Sequence, residues 1–365
     1  MAHVNINISK IKYNAKVLQT VFQSKNIQFT PVIKCIAGDR TIVESLKALG
    51  INHVAESRLD NIISIADQDL TYTLLRTPAK KEISDMIEKV DMSIQTELST
   101  IHQINEVAEV LGKKHKILLM VDWKDGREGV LTYDVLDYIK EIIHLKNIHF
   151  VGLAFNFMCF KSDAPSDDDI FMINRFVSAV EREIGYRLKI ISGGNSSMLP
   201  QLLYNDLGKI NELRIGETLF RGVDTTTNQA IAMLYQDAIT LEAEILEIKP
   251  RVNTQTHESF LQAIVDIGYL DTKVDNISPM DQHINILGAS SDHLMLDLNG
   301  QGHYQVGDHI SFSLNYEALS HSMYMKNLHK VYIDDSKIDT LLQNFDVKSP
   351  AMGKPILIYL SIILS

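Results

Sequence analysis

Between residue 28 and about residue 220 the chain repeats one alternation eight times: a short run rich in β-branched residues, then a stretch with apolar side chains at helical spacing. The runs are Gln28–Ile33, Asn52–Ala55, Leu70–Leu75, Val90–Ile94, Lys116–Val121, Phe150–Phe155, Leu188–Ser192 and Glu212–Ile215. Between them, Ile42, Leu46 and Leu49, stopped by Gly50, or Leu136, Ile139 and Ile143, put apolar groups on one helical face. Such residues are core. Eight βα units in about 200 residues predict an α/β fold, a (β/α)8 TIM-like barrel, and its chemistry belongs at the C-terminal ends of the strands.

After about residue 230 the rhythm changes to strand-like stretches, Ala238–Ile248, Phe260–Ile267, His293–Leu298 and His309–Leu314, separated by Gly, Asn and Asp turns without intervening helical periods. This predicts a barrel over residues 1–228 and a C-terminal, mostly antiparallel β domain over 229–365, with residues 1–10 available to pair with the latter. A barrel needs no such appendage for stability, so the second domain is expected to complete a site or an interface.

Composition narrows the partners. With 35 Lys+Arg against 46 Asp+Glu the net charge is −11, and no long basic run interrupts it, so a nucleic acid would meet net repulsion. Cys35 and Cys159 are the only cysteines, there is no CxxC, and the N-terminal MAHVNINISK lacks an apolar segment. These features predict a reduced, cytoplasmic protein with no membrane association. Pro355–Ser365 is apolar but too short to span ~30 Å of hydrocarbon as a helix, and it is expected to be a terminal buried strand. The 13 histidines show no HExxH-type spacing, so no metal site is expected.

The segment PVIKCIAGD places Lys34 at the end of the first run, aimed at the barrel mouth, with Asp39 as N-cap of the following helix. Cys35 beside it reads as a small packed residue. The seventh run ends in SGGNSS, Ser192–Ser197, and the eighth in ELRIGETLFRG, Glu212–Gly222. Loops after strands seven and eight of such barrels commonly hold phosphate through backbone N–H groups at a helix N-terminus. An amine on strand one together with a phosphate cradle on strands seven and eight is far more specific than either alone.

PVIKCIAGD, DWKDGREG (Asp122–Gly129), SGGNSSMLP, NELRIGETLFRG, VDIGYLDT (Val265–Thr272) and NYEALS (Asn315–Ser320) resemble, in order, the motifs of the alanine racemase family. REG, GGNSS, RIGETLFRG and ILGASSDH resemble its ornithine racemase branch more closely. The resemblance implies pyridoxal 5′-phosphate as cofactor, carried covalently on Lys34, which also serves as base on one face of the substrate. It implies that Tyr269 reaches the opposite face across a homodimer interface, so that the active sites are shared. It further implies that Arg214 meets the pyridine nitrogen, that Asn195, Ser196, Gly216, Glu217 and Tyr316 belong to the cofactor cradle, and that Arg127 orders the substrate carboxylate. Ser291 and Asp292 match the substrate-facing segment of the β domain, and Asp292 suits the distal ammonium of a diamino acid.

Racemisation removes a weakly acidic α-proton, and conjugation to the cofactor ring is what makes that removal feasible. Bases on opposite faces let the proton leave from one side and return to the other. An arginine at the ring nitrogen keeps that nitrogen unprotonated, because a guanidinium does not give up its proton. The sequence departs from the family in three places. Gly38 and Asp39 stand where a tyrosine follows the cofactor lysine, Met120 stands where alanine racemases often carry a modified lysine, and Asn156 is the nearest match to a histidine after strand six. The expected function is racemisation of ornithine or a similar diamino acid; the alternatives are an alanine or broad-spectrum racemase and a non-catalytic cofactor carrier.

Overall fold

A computed structural model describes the backbone of residues 1–347 and the side chains of residues 1–344. The apolar run Pro355–Ser365 lies outside the described residues. The chain divides into two compact units, one built from Asn14–Lys34 and Gly38–Leu234, the other from Met1–Tyr13, Cys35–Ala37 and Tyr235–Leu342.

The first unit is an eight-stranded parallel barrel. Its strands are Gln28–Pro31, His53–Glu56, Thr71–Leu74, Met92–Gln95, His115–Asp122, Ile148–Ala154, Ile190–Ser192 and Glu212–Ile215. Each falls within or against one of the eight runs read from the sequence. The first pairs with the eighth (Thr30 opposite Arg214), and the bridge Val32↔Ala55 joins it to the second. Helices cover the outside: Phe29, on the face opposite Thr30, lies 5.2 Å from Phe22 of helix Ile8–Ser24. Asp39 caps helix Arg40–Lys47 as its position predicts, accepting from the Ile42 N–H at 3.1 Å.

Register identifies the inward face. Thr30 is opposite Arg214, Glu212 opposite Ser192, Ser192 opposite Ala154 and Ala154 opposite Met120, so these residues share one side. One half of that interior is apolar, where Met92, Ile94, Leu118, Met120, Val151 and Ala154 pack together. The other half carries the buried polar residues Thr30, Ser192, Glu212 and Arg214.

The phase of one helix differs from expectation. Helix Val135–Ile142 buries Val135, Ile139 and Ile142, while Ile143 is exposed. Two adjacent helical stripes are both apolar there, and docking onto the barrel selects between them.

The second unit contains an eight-stranded sheet. Ile277–Pro279, His309–Leu314, Ile239–Val252, Ser259–Val265, Leu294–Asp297 and Asn285–Ala289 follow one another in that order, all antiparallel. His3–Asn7 adds to Ile239–Val252 antiparallel and to His329–Ile333 parallel. The long strand buries Ile239, Leu241, Ala243 and Ile245 in strict alternation. Two helices, Tyr316–Tyr324 and Ser336–Val347, correct the expectation that this region lacks helical periods. Asn315 caps the first of them, accepting from the Glu317 and Ala318 N–H groups at 3.1 Å each, and Ala318, Leu319, Ser322 and Met323 form its buried stripe. That stripe is short enough to be lost among strand-like neighbours.

Burial also makes the fold sensitive to acid. His115 is 1% exposed and bonds Ser93 at 2.9 Å, and burial pushes its pKa down to about 4. Unfolded, the ring takes up its proton near pH ~6.5, so the stability held by neutral His115 is complete above that value and is lost as pH falls toward 4. The loss amounts to about 3 kcal/mol. Urea unfolding at pH 7.5 and at pH 5 should show this decline, and His115→Gln should flatten it; an undiminished decline in the variant would refute the assignment.

Candidate active site

Lys34 emerges where the barrel closes. The Val32 N–H donates to the Ile215 carbonyl and the Ile33 N–H to the Ala55 carbonyl, both at 2.9 Å, so successive residues bind the neighbours on either side. Lys34 follows at once, half-buried, in the 3-10 turn Lys34–Ile36, and Cys35 is packed at 1% exposure. Ala37 and Gly38 then take positive φ, which turns the chain sharply into helix Arg40–Lys47.

The ends of strands seven and eight meet the same rim. A Cβ on Gly216 would stand 3.1 Å from both the Cβ and the carbonyl oxygen of Val32, so this glycine lets the eighth strand close on the first beside Lys34. Gly216 precedes the short helix Glu217–Arg221, and the Thr218 N–H donates to Ser196 Oγ at 3.3 Å. A hydroxyl and helix-start N–H groups thus converge on one spot. Glu217 turns its carboxylate to Arg221 one turn along, which removes its negative charge from that spot. Asn195 braces the cradle: its Oδ1 accepts from the Ser197 N–H at 3.0 Å, and its Nδ2 donates to the Phe157 carbonyl at 2.7 Å.

Arg214 points inward and is 4% exposed. Its Nη2 donates to the Phe155 carbonyl at 2.7 Å, and its Nη1 donates to Ser192 Oγ and, at 3.4 Å, to the Ser192 carbonyl. Burial pulls its pKa below the usual guanidinium value, and Glu212 opposes that shift. It stays a cation at any working pH.

The loops after strands five and six are stapled together by Asp125. This carboxylate is 4% exposed, and its Oδ1 accepts from the N–H groups of Cys159, Phe160 and Lys161 at 2.9, 3.0 and 3.3 Å. The staple joins the loop of Arg127 to the loop of Asn156. Asn156 Oδ1 accepts from Asn195 at 3.4 Å, which brings these two expected site residues together. Arg127 is exposed at the rim and forms a two-pronged pair with Glu128. Met120 lies in the apolar half of the interior.

In the β unit, Tyr269 sits on the turn Gly268–Thr272, half exposed. Its N–H donates to the Ser290 carbonyl and that of Leu270 to the Ser291 carbonyl, both at 3.0 Å. The turn is therefore docked backbone to backbone on the segment that ends in Asp292. Gly268 permits this, because a Cβ there would stand 2.3 Å from the Ser291 carbonyl oxygen. Ser290 and His293 close the hairpin tip, the Ser290 N–H donating to the His293 carbonyl at 2.8 Å. Asp292 stands exposed on that tip and makes no hydrogen bond or ion pair among the described residues. Asp271, in the same turn as Tyr269, has its pKa raised by burial and by the nearby charges of Asp266 and Asp292. Tyr316, half-buried, opens helix Tyr316–Tyr324.

Residues 6–223 match the alanine racemase N-terminal domain. The ornithine racemase of Acetoanaerobium sticklandii is 31% identical over 87% of this chain and 95% of its own length. The chain belongs to the alanine racemase family. The lysine racemase of Thermotoga maritima is 28% identical over 90% of this chain and 97% of its own length. The alanine racemase of Bartonella henselae, solved with covalently bound pyridoxal phosphate, superimposes with a TM-score of 0.71 at 17% identity, covering 91% of this chain and 99% of that one. Membership makes the chain an amino-acid racemase whose cofactor is pyridoxal 5′-phosphate.

The barrel fits that cofactor. An amine stands at the rim, a permanent cation lies inside, and the Cβ-free backbone at Gly216 leads into a helix start facing a hydroxyl. Three contributors escaped the sequence reading: Ser192 and Phe155, which hold Arg214, and Asp125, which joins two loops. Ser192 and Asp125 stand inside quoted motifs, but their side chains act on residues of other strands, which only the three-dimensional fold brings near.

The contact at Gly268 is directly testable in this racemase. Gly268→Ala should separate the Tyr269 turn from residues 290–291 and destabilise the protein by about 2 kcal/mol, the usual scale of overpacking. Turnover should drop while cofactor colour, a property of the barrel, is kept. Unchanged melting and turnover would show that the backbone contact is slack.

Proposed function

We propose that this racemase interconverts the enantiomers of ornithine or a similar diamino acid, using Lys34 as base on one face and Tyr269 of a second copy on the other. The observation that carries the substrate reading is Asp292: an exposed, unpaired carboxylate on the segment to which the Tyr269 turn is bolted. A group held in register with the tyrosine is placed to meet the far end of a substrate whose α-carbon the tyrosine serves. The diamino-acid substrates of the two similar racemases support the same reading.

Bound pyridoxal phosphate supplies an electron sink conjugated to the substrate α-carbon. The chain's residues supply the rest. Lys34 would hold the cofactor through Nζ, and the same Nζ would take or return the α-proton on its face of the substrate. Arg214 would meet the ring nitrogen and, by retaining its protons, would leave it unprotonated and a weaker sink. That favours returning the proton to the α-carbon over other fates. Ser196 Oγ and the N–H groups from Gly216 onward would hold the phosphate, with Asn195 bracing them. Glu217 contributes backbone only, its carboxylate being occupied by Arg221.

Arg127 is the substrate-carboxylate ligand, and in the state described it is engaged by Glu128. Substrate binding therefore exchanges one carboxylate for another at the same guanidinium. Because both residues are over a third exposed, that exchange costs little. Asn156 and Ser291 supply neutral hydrogen bonds around the substrate.

Chiral chromatography after incubation with single amino acids tests the substrate class. Ornithine or lysine should racemise faster than alanine, and Asp292→Asn should reduce kcat/KM for the diamino acids by roughly tenfold while leaving alanine unaffected. Preferential racemisation of alanine by the unaltered protein would favour an alanine or broad-spectrum enzyme instead. Lys34→Ala should yield colourless protein, whereas Tyr269→Phe should stay yellow and inactive. A mixture of the two variants that regains activity through hybrid dimers supports a shared site; demonstrated heterodimers without activity exclude it.

A further inference from the structure

Arg214 presents a physical problem that its visible partners do not solve. A guanidinium at 4% exposure donates to a hydroxyl and two carbonyl groups, all neutral. Burying a cation among neutral groups alone is costly, and a nearby anion is the ordinary remedy. Glu212 lies two residues earlier on the same strand, hence on the same inward face, and is also 4% exposed. Its Oε1 accepts from Thr30 Oγ1 at 2.7 Å. Thr30 is the register partner of Arg214, so the carboxylate leans toward the guanidinium's level.

The other carboxylate oxygen, Oε2, is buried with no hydrogen-bond partner. Among charged neighbours Glu212 acts most strongly on the Arg214 guanidinium, and it opposes the effect of burial. His53 senses the Glu212 charge, but burial lowers its pKa and leaves it neutral at pH 7. Among the described buried residues, Arg214 is the one arginine or lysine.

We propose that Glu212 is the buried counter-anion of Arg214, a positioning residue that offsets the guanidinium's charge from the same inward face. The claim rests on the reading of Arg214 as the ring-nitrogen partner. Thr30 completes the arrangement by fixing one carboxylate oxygen, while the other stays buried without a hydrogen bond. Two buried charges of opposite sign would thereby set the electrostatics at the ring nitrogen.

A double-mutant cycle on the holoenzyme tests this through stability as well as spectrum. Glu212→Gln keeps the Thr30 acceptor and the volume but removes the charge, and should lower the melting temperature by roughly 5 °C or more. In an Arg214→Gln background the same change should cost little, because no orphan cation is left. Equal losses in both backgrounds would overturn the pairing. Glu212→Gln should also shift the visible absorbance band and reduce kcat by roughly tenfold with KM little changed, the scale seen when outer partners of active-site groups are removed. Stability coupling with an unaltered band and kcat would overturn the positioning role.

Thr30→Val serves if Glu212→Gln does not fold. It should shift the band and reduce kcat in the same direction, and a lower melting point with wild-type band and kcat would refute the proposal. Arg214→Gln alone separates the two readings. If it leaves the band unchanged, the ring-nitrogen assignment fails, while the stability coupling still reports on the pair.

Discussion

Closure of the barrel at its first strand is the constraint on which the site depends. Val32 binds strand eight and Ile33 binds strand two, so backbone hydrogen bonds leave Lys34 at a point common to three strands. Gly216 makes that closure possible on one side by carrying no side chain against Val32. The same residue then starts the helix whose N–H groups face Ser196. Lys34 and the corner where Thr218 meets Ser196 are thus positioned by one structural event.

Inside the closed barrel the polar and apolar residues are segregated. The half lined by Met92, Ile94, Leu118 and Met120 packs as a dry core, and the half lined by Thr30, Ser192, Glu212 and Arg214 holds charge. A low local dielectric strengthens every interaction on the polar side. It also makes each charge there dependent on its partners. Glu217 illustrates the opposite solution at the rim, where a half-buried, local ion pair with Arg221 engages its carboxylate.

The β unit works by backbone contact. The Tyr269 turn and the 290–292 tip are joined through carbonyl and N–H groups, a geometry insensitive to most side-chain changes and highly sensitive to a Cβ at Gly268. Two motifs well separated in the chain, the Tyr269 turn and the tip that carries Asp292, are thereby held together.

Much was legible in the residues themselves, because strand and helix periods are local properties. Eight β runs, the Asp39 cap and the alternation in Ile239–Val252 all express rules that operate within a few residues. Lys34 and the glycine-bearing loops were legible for a similar reason: position at a strand end follows from the run itself. What the sequence left undecided is contact between distant segments. The choice of Ile142 over Ile143 for burial, the helix after Asn315, the Asp125 staple and the hold of Ser192 and Phe155 on Arg214 each depend on which surfaces meet. Local propensity is nearly degenerate at those points, and packing and hydrogen-bond satisfaction in the folded chain lift the degeneracy.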